Sequence, residues 1–225
     1  MTEGQEFAVS SNLTIEQNVG LYGGPYRPMV GGRPSSGFTS VGAFTYSYSP
    51  LPDGCRVGRY CSISTGLRFI DSSHPLDLIT TSAITFRPKN DLFKDFLTDG
   101  LVAHAAGYRT TNKVYPTIGN DVWIGSNVTL AMGIELGTGS VVATNSTVTK
   151  DVPPYAIVGG NPAKVIKMRF DGPAIDRLLS SQWWNYDPRQ VLQDLHEPMD
   201  SPLKKIETGR IDPFTFVSVR LSELA

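Results

Sequence analysis

A chain of 225 residues with 40% hydrophobic and 18% charged content is long enough to bury one substantial core. Its formal net charge of −1 argues against a nucleic-acid partner bound through a broad basic surface. No apolar run approaches the ~20 residues that span a bilayer, and the polar start MTEGQEFAVSSN lacks a basic-then-apolar leader, which predicts a cytoplasmic location.

Taken in order, residues 1–40 have no clear period and are rich in Gly, Pro and Ser, so they read as an irregular lead-in over the first coil of whatever follows. From Val41 a six-residue pattern begins with VGAFTY and, after a break, resumes in CRVGRYCSISTGLRFI, with Val57, Ile63 and Phe69 in one aliphatic column. If Leu51 and Val57 head their sixes, Cys55 and Cys61 fill the small inward column of adjacent strands. They are then free packing thiols rather than a disulfide or a metal pair.

Residues 71–117 break the period. It restarts at Ile118 and runs IGNDVW, IGSNVT, LAMGIE, LGTGSV, VATNST, VTKDVP, PYAIVG to Gly159. The first position is apolar from Ile118 through Val148 and ends at Pro154, and the fifth runs Val122, Val128, Ile134, Ser140, Ser146, Val152, Val158.

A period of six suits neither a helix nor a plain alternating strand; it suits short flat strands joined by tight corners, with one aliphatic and one small residue turned inward. Three such strands make a coil, and stacked coils pair at about 4.8 Å, leaving a solid interior. Gly119, Gly125 and Gly137 at the second position fit corners that need positive φ or close approach. The 47-residue break, 71–117, is an excursion from this scaffold, and such excursions commonly carry function.

After Gly159 comes GNPAKVIKMRF, and Asp171 with Pro173 then predicts a helix over 173–184 packed on the coil end. Pro188 opens a second short helix. Residues 161–196 thus form a helical cap on the β-helix of 41–160, and 197–225 is a tail in which FTFVSVRL alternates like a strand that adds to a sheet edge.

Three histidines are available, His74, His104 and His196, and the first two lie in the excursion. His74 follows closely on a coil and is flanked by Asp71, Ser72, Ser73 and Asp77, which makes it the candidate base.

The pattern [I/L/V]-G-x-x-[S/T/A/V]-x, with the blocks VGAFTYSYSP, VGRYCSIS, IGNDVWIGSNV, GGNPAKVIKMRF and WWNYDP, resembles the xenobiotic acetyltransferase branch of the hexapeptide-repeat acyltransferases. The resemblance implies an all-β, left-handed parallel β-helix, a homotrimer with active sites between subunits, and acetyl-CoA as donor. It makes His74 the catalytic base. It places the pantetheine arm along Gly125, Ser140, Ala143 and Gly159, followed by Asn161 and Pro162; Lys164, Lys167 and Arg169 form a positive cluster suited to the CoA phosphates. The acceptor falls to Tyr46, Tyr48, Ser82, Thr85 and Phe86, with Trp123 beside the same groove or at a subunit contact.

Antibiotic-modifying members tend to carry Asn before that histidine, where this chain has Ser73, so a sugar or polysaccharide precursor is the expected acceptor and a xenobiotic the alternative. No metal is expected: a β-helix carbonic anhydrase needs three histidines converging from the coils, and none here sits in a hexad. A non-catalytic β-helix scaffold is the other alternative.

Overall fold

The computed structural model describes residues 13–24, 26, 39–87, 90–107, 114–193 and 199–220. The first coil supplies β1 (Thr14–Glu16) and β2 (Gly20–Leu21), the second β3 (Ser40–Val41) and β4 (Tyr46–Ser47), and the third β5 (Arg56–Val57), β6 (Ser62–Ile63) and β7 (Arg68–Ile70). After the excursion, which holds α1 (Asp99–Gly107), the fourth coil is β8 (Thr117–Ile118), β9 (Trp123–Ile124) and β10 (Thr129–Ala131), and the fifth is β11 (Glu135–Leu136), β12 (Val141–Val142) and β13 (Thr147–Val148). The last turn gives β14 (Ala156–Gly160), which doubles back as β15 (Ala163–Met168).

These strands stack into three walls. One wall runs β11-β8-β5-β3-β1, a second β14-β12-β9-β6-β4-β2, and a third β13-β10-β7, with parallel pairing between coils. Inside, the aliphatic column is continuous: Val41, Val57, Ile118 and Leu136 align in one wall, Ile63, Ile124, Val142 and Val158 in the next, and Phe69, Leu130 and Val148 in the third. All are buried. Each such side chain contributes roughly 1.5–3 kcal/mol by leaving water.

The hexad glycines act by close approach. A methyl on Gly125 would sit 2.7 Å from the Thr144 nitrogen and one on Gly119 2.7 Å from the Thr138 nitrogen, so neighbouring coils admit no side chain there. Positive φ falls instead at the fourth position, at Asp121 (54°), Asn127 (55°) and Asn145 (60°), residues whose short polar side chains tolerate the left-handed region.

Two boundaries differ from the sequence reading. The β-helix starts at Thr14 rather than Val41, because Ile15 pairs in parallel with Val41, and Gly20 and Leu21 pair with Tyr46 and Ser47; short strands in a Gly-rich stretch hide their period. At the other end the period slips across Pro153 and Pro154. Pro154 does not face inward; Ala156 takes the small column and Val158 stacks on Val142 in the aliphatic one.

The C-terminal end is closed by helices. Asp171 accepts a hydrogen bond from the Ala174 nitrogen at 3.0 Å and starts α2 (Gly172–Ser181), followed by α3 (Pro188–Val191) and an unforeseen α4 (Asp200–Glu207). Leu178 of α2 and Leu203 of α4 pack with the buried Tyr155 over the last coil. The chain then returns along the prism, and β16 (Ser218–Arg220) pairs antiparallel with β1, covering that open sheet edge. The tail therefore adds a strand within its own subunit.

Candidate active site

The excursion leaves the third wall after Ile70 and re-enters at Thr117, while Val57 pairs directly with Ile118 as though nothing intervened. His74 lies four residues beyond β7, and its ring is exposed. Its Nδ1 is 2.7 Å from the Thr81 carbonyl oxygen. A carbonyl only accepts, so Nδ1 carries the proton, and in the neutral ring Nε2 keeps its lone pair. Phe86 backs the imidazole edge to face at 4.9 Å between centroids, and Pro75 is buried beside it.

That backing revises two acceptor residues. Thr85 and Phe86 are both 7% exposed, and Thr85 bonds to the Ser82 carbonyl oxygen at 2.8 Å inside a short 3-10 turn over Ala83–Thr85. Phe86 packs on the histidine and Thr85 closes its own turn, so both side chains are buried rather than presented at the surface. Ser82 caps that turn through the Ile84 nitrogen, 3.4 Å away. His104 sits on α1 and is exposed, and His196 lies outside the described residues.

A groove of about 620 Å³ runs over the outer face of the second wall, lined by Asp121, Trp123, Gly125, Val141, Ala143, Ile157 and Arg169 among others. Small residues make its floor: Gly125 and Ala143 line it, and a methyl on Gly159 would lie 3.1 Å from the Ala143 Cβ. Ser140 does not contribute. It is the inward member of its hexad, fully buried, with a hydroxyl that has no hydrogen-bond partner among the described residues.

Register extends this face at both ends. Outward positions align from Tyr46 through Ser62, Trp123, Val141 and Ile157 to Lys167. Lys164 stands opposite Gly159, and the register shift between Ile157 and Val158 returns Lys164 and Lys167 to one face despite their spacing of three. Asn161 and Pro162 form the exposed turn joining β14 to β15. Arg169, by contrast, is engaged: it donates to Asp121 Oδ2 at 2.8 Å and to the Gly139 carbonyl oxygen at 2.7 Å. Burial pushes the Asp121 carboxyl up and Arg169 draws it back, so this pair walls the groove and offsets the cation expected for phosphate.

At the far end of the same wall, exposed Tyr48 stacks on Tyr22 with centroids 5.2 Å apart, and Tyr46 meets Tyr48 edge to face at 5.6 Å. Sequence reasoning missed Tyr22, which sits in the stretch read as irregular, and missed Asp121, whose partner Arg169 lies far along the chain.

The cysteines are inert packing residues. Cys55 and Cys61 donate to the carbonyl oxygens of Pro116 (3.2 Å) and Gly119 (3.0 Å), and burial pushes each thiol up to about 12. Among the described residues no group of three or more His, Cys, Asp or Glu could hold a metal ion, and no helix is long and apolar enough to cross a membrane.

The family described as hexapeptide repeat of succinyl-transferase matches residues 117–150. A probable macrolide acetyltransferase of Lysinibacillus sphaericus is 36% identical over 67% of this chain and 79% of its own. The virginiamycin A acetyltransferase of Staphylococcus aureus is 38% identical over 73% of this chain and 72% of its own. With a chloramphenicol acetyltransferase of Agrobacterium fabrum the identity is 42%, over 60% of this chain and 61% of that protein. Identity at this level, over chains so largely shared and with the repeat in place, makes this protein a member of the hexapeptide-repeat acetyltransferases, in their xenobiotic acetyltransferase branch.

Proposed function

We propose that this chain transfers the acetyl group of acetyl-CoA to a hydroxyl, with His74 as general base. The observation that carries the reading is the anchored imidazole: Nδ1 is held by the Thr81 carbonyl oxygen and the residue is exposed, which leaves Nε2 for a substrate. A hydroxyl attacks a thioester poorly unless a base takes its proton in the transition state, which contributes about 10²- to 10⁴-fold. Nε2 takes that proton as the oxygen bonds to the thioester carbon. The tetrahedral intermediate then expels the CoA sulfur, which receives the proton back, leaving ester and free thiol. No covalent enzyme intermediate is needed, in keeping with two buried, protonated thiols.

The groove floored by Gly125 and Ala143 suits a long thin arm, and Lys164 and Lys167 at its edge suit phosphates. Exposed apolar residues on the excursion, Leu76, Ile79, Leu92 and Phe96, together with Trp123 on the second wall, are the surface a neighbouring copy would cover. They support a homotrimer with the site completed between subunits.

For the acceptor, the names of the relatives favour a drug-like alcohol of the chloramphenicol or streptogramin kind. A sugar is the second reading, favoured by the exposed tyrosine cluster of Tyr22, Tyr46 and Tyr48, which offers ring faces and hydroxyls. Thiol release from acetyl-CoA, assayed with chloramphenicol, virginiamycin, a macrolide and simple glycosides, decides between them. Release with none of them and no calorimetric binding of CoA would leave a scaffold.

A further inference from the structure

The excursion is closed at its root by a carboxylate that the mechanism does not use. Asp71 is the first residue after β7 and is 9% exposed. Its Oδ2 accepts from the Tyr26 hydroxyl at 2.6 Å and from the Tyr115 hydroxyl at 3.3 Å. Tyr115 stands two residues before the chain re-enters the prism at Thr117, and Tyr26 comes from the separate segment that follows the first coil. One side chain therefore joins the outgoing limb, the returning limb and a third strand of polypeptide.

The three rings around it are packed as tightly as the polar contacts are short. Tyr26, Phe69 and Tyr115 meet edge to face in every pair, with centroids 5.6, 5.7 and 5.5 Å apart, and Phe69 is itself a member of the inner aliphatic column. The returning limb is fixed further by Cys55 and by the Gly133 nitrogen, which bonds to the Val114 carbonyl oxygen at 2.7 Å. Burial, and then the carboxylate, push the Tyr26 hydroxyl well above the usual phenol range, and burial raises Tyr115 likewise, so both stay protonated as donors.

We infer that Asp71, clasped by Tyr26 and Tyr115, is a positioning residue for acyl transfer: it fixes the root of the excursion and with it the place of His74, three residues on. The physical need is plain. A loop of this length has no periodic core of its own, whereas a base must be held within about 0.5 Å of its productive position, and a displacement of about 1 Å costs on the order of 100-fold in rate. His74 is braced locally by Thr81 and Phe86, but those braces belong to the same loop and would move with it. The clasp ties that loop to the prism.

The inference rests on His74 being the base, and the test separates the two. Steady-state kinetics are compared for wild type, Asp71→Ala, Asp71→Asn, Tyr26→Phe with Tyr115→Phe, His74→Ala, and His74→Ala with Asp71→Ala. Asp71→Ala should lower kcat about 10- to 100-fold with the KM for acetyl-CoA within about twofold. Asp71→Asn, which still presents an acceptor oxygen, should recover most of the loss. The double tyrosine variant keeps the rings and removes only the hydroxyls, so it probes the polar contacts with the aromatic packing retained and should lower kcat at least as much as Asp71→Ala.

In the His74→Ala background the Asp71 substitution should cost no further activity, because there is no base left to position. A kcat for Asp71→Ala or the double tyrosine variant equal to wild type, with His74→Ala inactive, would overturn the clasp and leave the base reading standing. A fully active His74→Ala would remove the base reading itself. Equal proportional losses from Asp71→Ala with and without His74 would mean general destabilisation and would also overturn the clasp.

Discussion

The prism and the excursion are built by opposite rules. In the prism each residue's role follows from its place in a six-residue count: Leu130 is fully buried because it heads a hexad, and Gly125 has no side chain because Thr144 of the next coil lies too close. In the excursion nothing repeats, and each contact is particular, as with His74 on Thr81, Phe86 under His74, and Asp71 between two tyrosines. Regular stacking yields stiffness without chemistry, since the inward columns are filled by aliphatic or small residues and, at Phe69, an aromatic ring. A reactive group has to leave the repeat, and it then needs its own means of being held.

The comparison predicts where substitutions hurt stability and where they hurt catalysis. Leu130→Ala, which empties an inner column, should cost roughly 2–5 kcal/mol in urea unfolding while the KM values of surviving enzyme stay near wild type. A cost below about 1 kcal/mol would mean that the interior is loosely packed.

The thiols sharpen the same point through pH. Cys55 and Cys61 rise from about 9 to about 12 on folding. Between those values the unfolded chain releases protons that the folded chain keeps, so stability falls as pH rises, by about 1.4 kcal/mol per unit for each thiol. Replacing both with Ala should flatten unfolding free energy against pH over that window, and an unchanged slope would show that the thiols are not sealed in the prism.

On the outer face the effects are smaller and fall on binding. Lys164→Glu should raise the KM for acetyl-CoA about 10-fold, the loss of one charge-assisted contact, with the acceptor KM unchanged. Equal changes in both would count against the phosphate role.

Smallest of all should be Arg177→Ala. This guanidinium bridges α2 to Glu207 and Asp200 of α4 at the exposed surface, where water screens the pairs. Its unfolding midpoint should be nearly that of wild type, and a large drop would make the cap a second stabilising body rather than a cover.

What could be read in the sequence divides along the same line. The repeat from Ile118 to Val152, the inward cysteines, the start of α2 at Asp171 and the excursion were legible because periodicity and capping chemistry are local. The first coil was not, since two short strands separated by turns cannot display a period. Among the residues that the family resemblance set along the pantetheine arm, Gly125 and Ala143 line the groove. Ser140 does not, because its hexad position turns it inward, a fact the count itself contained. Arg169, expected in the positive cluster for the CoA phosphates, is paired with Asp121, which is distant in sequence. Tyr26 and Tyr115 could not be joined to Asp71 from sequence, because only the folded neck brings them together.

The account turns on one imidazole, and one measurement reaches it most directly: turnover by His74→Ala on an acceptor that wild type acetylates, with CoA affinity measured by calorimetry on the same preparation. The prediction is a turnover at least about 100-fold lower with CoA affinity unchanged. Turnover near that of wild type would contradict it.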